Sequence, residues 1–171
     1  MAKSMQLIAG RTAQEFNLRK GRGGAFWEDR YHATAIDSND YLRRCLVYID
    51  LNMVRAGVVK HPSEWSQSGF NEIQFPPKRY QLIDQEKLCQ LIEIESVDKL
   101  RASHAMWVKD TLAKTVLNRE ELWTSSLAVG GKSFIDKYLE TAGMKVNYRE
   151  VVLEDDCHVV KEPCVAYSDD L

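Results

Sequence analysis

Apolar residues recur at helical spacing through most of the chain, in short runs separated by glycine, proline or clusters of small polar residues. Leu7, Ile8, Ala9, Ala13, Phe16 and Leu18 make an approximate helical stripe, which predicts a helix from Ser4 to about Arg19 stopped by Gly21. After the basic turn Lys20-Gly21-Arg22-Gly23-Gly24, the aromatic-rich and nearly alternating stretch from Ala25 to Ala35 predicts an extended segment. Asp37 and Ser38 then offer N-cap oxygens to a helix over Asn39–Ala56, with Gly57 as its left-handed stop. In that helix Leu42, Leu46, Ile49 and Met53 form the predicted buried stripe. Tyr41, Cys45, Tyr48 and Asn52 form the next row round, which places Tyr48 at the edge of the core with its hydroxyl accessible.

Residues 58–75 read as a connection with a helical turn after Pro62. The break at Phe75-Pro76-Pro77-Lys78 is the best candidate boundary. Beyond it, helices are expected over Asp84–Ile94 (Leu88, Leu91, Ile92 inward), Ser96–Asn118 (Leu100, Trp107, Val108, Leu112, Val116 inward) and Ser133–Ala142 (Phe134, Ile135, Tyr138, Leu139 inward). Val146–Leu153 can form a strand, and the acidic residues that follow are expected to be poorly ordered. Trp65, Trp107 and Trp123 are assigned to the core. The expected organisation is therefore 1–75, a helical region 76–153, and a tail 154–171, in an α+β chain that is mostly helical.

Charge refines this division. Residues 1–60 carry ten Lys/Arg against six acids, a balance of +4, while the remainder carries thirteen against nineteen, a balance of −6. A basic N-terminal part suits a phosphate-bearing partner that touches only that part. Cys45, Cys89, Cys157 and Cys164 lack C-x-x-C spacing and fit reduced thiols better than a disulfide framework. No apolar run reaches membrane-spanning length and no signal peptide is evident, so a cytoplasmic protein with no membrane partner is expected.

The candidate chemistry is concentrated in Tyr48-Ile49-Asp50-Leu51-Asn52-Met53-Val54-Arg55-Ala56-Gly57. Tyr48 and Asn52 are one turn apart on one helix face, Arg44 lies one turn before Tyr48, and Arg55 two turns after. A phenol between two guanidinium groups is suited to a phosphate; the alternative is a half-buried aromatic flanked by solvated arginines. Arg19, Lys20, Arg22 and Arg30 can follow a nucleic-acid backbone, with Trp27 offering a stacking surface, or can form a solvated turn beside a packed strand.

This decapeptide resembles the YIELNPVRAGLV signature of REP-associated tyrosine transposases, a group of HUH-type single-tyrosine transposases related to insertion sequences. Three further segments are similar to that family: Gly21-Arg22-Gly23-Gly24-Ala25-Phe26-Trp27-Glu28-Asp29-Arg30-Tyr31-His32, the helix opening Asp37–Cys45, and Pro62–Ser68. The likeness covers roughly residues 4–70 and, more weakly, the stretch from Glu121-Leu122-Trp123-Thr124 to Phe134. Asp50 and Met53 depart from the glutamate and proline usual at their positions.

The resemblance implies the C-terminal part of a ferredoxin-like catalytic domain followed by a small helical region. It implies Tyr48 as the nucleophile that attacks single-stranded or hairpin DNA to form a 5′-phosphotyrosine. It also implies Asn52 as one ligand of a divalent cation, Mg or Mn, whose other ligands come from a His-x-His strand. The histidines here are His32, His61, His104 and His158, and no two are separated by a single residue. The expectation is accordingly an N-terminally truncated, nucleoid-associated, transposase-related DNA-binding protein. The missing histidines put autonomous cleavage in doubt, and a second transposase chain could supply them. A non-catalytic DNA-binding regulatory module is the alternative.

Overall fold

A computed structural model of the chain describes residues 2–27, 32–114, 117–142, 150–154 and 156–161. They form an α+β structure in two compact units, residues 1–33 and 34–171.

The first unit is helix α1 (Ala2–Lys20) and the turn after it. Gly21 takes φ +59°, its N–H bonds to Leu18 O (3.3 Å), and Arg22 N–H bonds to Asn17 O (3.0 Å). This pair of bonds satisfies the last carbonyls and ends the helix where the glycine predicted. Phe16 packs on Phe26 at 4.8 Å between centroids, and the Trp27 indole N–H donates to Ala9 O (3.0 Å). Leu7, Ile8 and Leu18, which supplied much of the predicted stripe, are not covered by the unit's own residues. Residues 25–27 and 32–34 are not strand; 28–31 lie outside the described residues.

The second unit is organised around one helix. Strand β1 (Ala35–Ile36) leads to α2 (Asp40–Asp50), and a single-residue break at Leu51 separates it from α3 (Asn52–Arg55), which Gly57 stops at φ +70°. Hydrogen bonds from Leu51 N to Val47 O and from Arg55 N to Leu51 O carry the helical path across that break. The N-cap differs from expectation: Asn39 occupies it at φ 59° with no side-chain cap bond. Asp37 is engaged elsewhere, accepting from Ser38 N (2.8 Å) and, across the fold, from Gly131 N (3.1 Å).

After a 3-10 turn (Pro62–Glu64) come α4 (Gly69–Gln74), α5 (Gln85–Ile92) and α6 (Val97–Leu112). Ser68, Asp84 and Ser96 cap them by accepting from Asn71 N, Lys87 N and Lys99 N. Next are α7 (Glu121–Thr124), β2 (Ala128–Gly130), α8 (Lys132–Ala142), β3 (Glu150–Glu154) and β4 (Cys157–Lys161).

The sheet order is β1-β2-β4-β3, with β1 parallel to β2 and the other pairs antiparallel. Cys157–Lys161, which the acidic composition placed in a poorly ordered tail, is thus an inner strand, and Cys157, Val159 and Val160 are buried. Its alternation is short enough to be masked by the charged residues around it. Side chains alternate across the sheet. Ala128 and Val160 face Ile135, Phe134, Tyr138 and Leu139 of α8, while Val129, Val159 and Cys157 face Cys45 and Tyr48 of α2 and Leu122 and Trp123 of α7.

Helix α2 is buried on its other sides too. Leu42 and Leu46 meet Leu88, Cys89, Ile92 and Leu100, while Val47 and Leu51 meet Phe70 and Val108. A helix enclosed in this way has no single apolar stripe. That is why the predicted stripe fails in part: Ile49 is 55% exposed, whereas Tyr48 is only 8% exposed. The Pro76-Pro77 break lies inside this unit, with α2 before it and α5 and α6 after it sharing one core. Trp123 is buried and Trp107 half-buried, but Trp65 is exposed.

Candidate nucleic-acid interface

Tyr48 reaches its position through α2, whose sheet-facing side carries Tyr41, Cys45 and Tyr48 at successive three- and four-residue steps. Its ring packs near Trp123, 6.4 Å between centroids. Arg55 lies over the ring, its guanidinium carbon 3.8 Å from the centroid. Arg55 lies in α3, and the helical path carried across the Leu51 break places it two turns after Tyr48 on the same side. From there its Nη2 donates to the Tyr48 carbonyl and to Asn52 Oδ1. A guanidinium stacked on a phenol and held by two acceptors loses little freedom when it meets an anion. Partial burial lowers the Arg55 pKa from its usual value, opposed by Tyr48 and Glu120; the group stays cationic at neutral pH.

Arg44 stands one turn before Tyr48. Its Nη1 contacts Cys157 Sγ (3.1 Å) and its guanidinium lies 5.9 Å from the Trp123 ring centroid. Arg43 lies over Trp107 at 5.3 Å and pairs with Asp40. Together these side chains border a cavity of about 360 Å3 that Lys114, Asp110 and Glu120 also line. Four cations line it against two carboxylates, and one of the four, Arg43, is already paired with Asp40. The cavity is large enough for a phosphodiester and its sugar, with Tyr48 in its wall.

The structure brings together Tyr48, Arg44 and Arg55 as the spacing predicted. Tyr48 is 8% exposed, deeper in the core than the edge position expected, with Trp123 and Arg55 against its ring. Asn52 is exposed, and its Oδ1 already accepts from Arg55. Arg19, Lys20, Arg22 and Trp27 belong to the first unit. Arg19 pairs with Glu15 at 3.3 Å, Arg22 Nη2 donates to Ala25 O (3.1 Å), and Lys20 is exposed. Trp27 is half exposed, with its N–H already bonded. Arg30 lies outside the described residues.

Among the described residues no three His, Cys, Asp or Glu side chains converge, and Asn52 offers one neutral, already engaged oxygen. His61 accepts from Ser63 N at the start of the 3-10 turn, and its ring packs on Phe70.

Several lining residues were not evident from the sequence. Lys114, Asp110 and Glu120 approach from the far end of α6 and from the start of α7. The one available signal was the Glu121-Leu122-Trp123-Thr124 stretch, which carried a weak likeness to the same family as the Tyr48 segment. Glu120 also accepts from the Trp123 indole N–H (2.7 Å).

Burial, with the Glu120 carboxylate second, pushes the Cys45 thiol from 9.0 up to about 11. The thiolate is the reactive form. Cys45 is therefore expected to resist iodoacetamide at pH 8 in the native protein and to react once the chain is denatured, as peptide mass mapping would read. Modification of native Cys45 at a rate near that of the denatured chain would show that solvent reaches this side of α2.

No family model, no curated protein and no solved structure matches this chain. No helix among the described residues is long and apolar enough to cross a membrane.

Proposed function

We propose that this protein is a transposase-related binder of single-stranded or hairpin DNA that holds a backbone phosphate in the Arg44–Tyr48–Arg55 cavity. One observation carries the reading. The Arg55 guanidinium is fixed over the Tyr48 ring, in the wall of a cavity whose cations outnumber its carboxylates two to one. The likeness of residues 48–57 to the single-tyrosine transposase signature supports DNA as the source of the phosphate, and the reading of residues 1–75 as the C-terminal part of a ferredoxin-like catalytic domain rests on that same likeness. Strand cleavage by Tyr48 is the second reading. It needs a divalent cation whose histidine ligands come from another chain and an Asn52 released from Arg55.

Binding of a labelled DNA hairpin, followed by fluorescence anisotropy across a salt series, tests the proposal. Arg44→Ala/Arg55→Ala should weaken binding by about tenfold and reduce the log–log salt slope by about 1.4, roughly 0.7 per phosphate on a single strand. Hairpin affinity that is independent of salt, or unchanged in this variant, would sink the phosphate assignment. A covalent DNA adduct formed with Mg or Mn and lost in Tyr48→Phe would establish the cleavage reading instead.

A further inference from the structure

The loop from Phe75 to Leu82 presents large side chains that nothing in the fold uses. Phe75 is 76% exposed, Tyr80 91% and Leu82 90%, within eight residues of one another. The loop is nevertheless held in place. Leu82 N and Ile83 N (2.7 Å) both donate to Glu72 Oε1, and Gln81 Nε2 donates to Pro77 O (2.9 Å). Pro76 and Pro77 restrict the backbone further. Tyr80 sits at φ +62°, a left-handed conformation that costs an aromatic residue energy and that glycine would adopt freely. An aromatic kept there with its ring in solvent contributes nothing to packing; strained, outward residues of this kind concentrate at binding sites.

Phe75, Pro77 and Leu82 also border a shallow cleft of about 350 Å3 that Ser66, Gln67 and Asn71 line with them. Lys78 and Arg79 project from the intervening turn. Among the described residues neither takes part in an ion pair. The one carboxylate bordering the cleft, Glu72, is committed to the two backbone N–H groups.

We propose that this loop is a second single-stranded nucleic-acid contact, in which Phe75 and Tyr80 stack unpaired bases and Lys78 and Arg79 meet the phosphates between them. The inference extends the DNA-binding reading and rests on it. Exposed rings interleaved with unpaired cations match the alternation of base and phosphate along a single strand, and stacking tolerates any base. Adjacent cations beside the rings disfavour a purely apolar partner, whose docking would leave them desolvated.

The test compares oligodeoxythymidine binding by the full chain, Phe75→Ala/Tyr80→Ala, Lys78→Ala/Arg79→Ala, and the cavity variant Arg44→Ala/Arg55→Ala. The ring variant should lose about thirtyfold or more in affinity, about 1–3 kcal/mol for each stacked base, with its salt slope unchanged. The cation variant should lower the slope by about 1.4. Photocrosslinking of an oligonucleotide containing 4-thiothymidine should map to Phe75 or Tyr80. Full affinity in the ring variant, alongside a loss in the cavity variant, overturns the loop and leaves the cavity reading standing; the exposed rings then belong to a protein partner. Loss in the ring variant with an unaffected cavity variant does the reverse. A chain that binds no oligonucleotide under any salt overturns both.

Discussion

Replacing His104 by alanine is expected to destabilise the protein by about 3–5 kcal/mol, the range for leaving a buried charge without its partner. His104 Nε2 and Asp50 Oδ2 are 2.7 Å apart and both side chains are buried. The protonation pattern follows from the neighbours. Gln74 Nε2 donates to Arg101 O (3.0 Å), which fixes the orientation of its amide, so the same nitrogen donates to His104 Nδ1 (3.2 Å). Nδ1 is then the acceptor and Nε2–H the donor to Asp50. Among the described residues Asp50 Oδ1 has no hydrogen-bond partner, and it lies close to where a side chain on Gly69 would begin. Without His104 neither oxygen of a buried carboxylate would have one. At this chain length the expected cost corresponds to a fall in melting temperature of roughly 10 °C. Asp50→Asn, which retains an acceptor and removes the charge, should cost clearly less than His104→Ala. Urea unfolding of the two variants reads the difference. A cost below about 1 kcal/mol for His104→Ala would mean that water solvates Asp50 directly.

Gly130→Val is expected to cost about 3 kcal/mol, the upper part of the usual range for overpacking. A Cβ at Gly130 would lie 2.5 Å from the Phe134 ring and 2.6 Å from Asp37 Cβ. The second contact leaves no easy relief, because Asp37 Cβ is one bond from the backbone and its carboxylate is tied to Gly131 N–H. Valine favours strands in general, so a stabilised Gly130→Val protein would show that β1 and β2 can separate here without loss. Thermal unfolding measures this, and Gly131→Ala serves as a contrast, since a Cβ there would meet only ordinary contacts at 3.6 Å and beyond.

The legible part of this fold was local. Gly21 and Gly57 ended their helices at left-handed φ, Asp84 and Ser96 capped theirs, and the inward face of α8 followed its apolar spacing. What escaped depended on long-range partners. Tyr48 looked like an edge residue because periodicity assumes one buried side, while α2 is enclosed by the sheet and by α4, α5 and α6. Strand β1 is two residues long and has meaning only beside β2, some ninety positions later. His104 gave no sign of its partner, because the Asp50–His104 contact joins residues 54 apart and no local pattern encodes it. In the candidate site, Tyr48, Arg44 and Arg55 came from one helical segment and were visible together; Lys114 and Glu120 were not.

The inner position of β4 has a consequence for synthesis. As the chain emerges from the ribosome, β1 can pair with β2 once about residue 130 is free, but the other edge of β2 then faces solvent until Cys157–Lys161 arrives. Until that moment the nascent protein carries an open strand edge beside the apolar side of α2, with Tyr48, Cys45 and Trp123 lacking Val159 as their cover. A chain stalled after β2 would therefore display the sheet-facing side of α2 uncovered, and that part of the core closes only when one of the last described segments arrives.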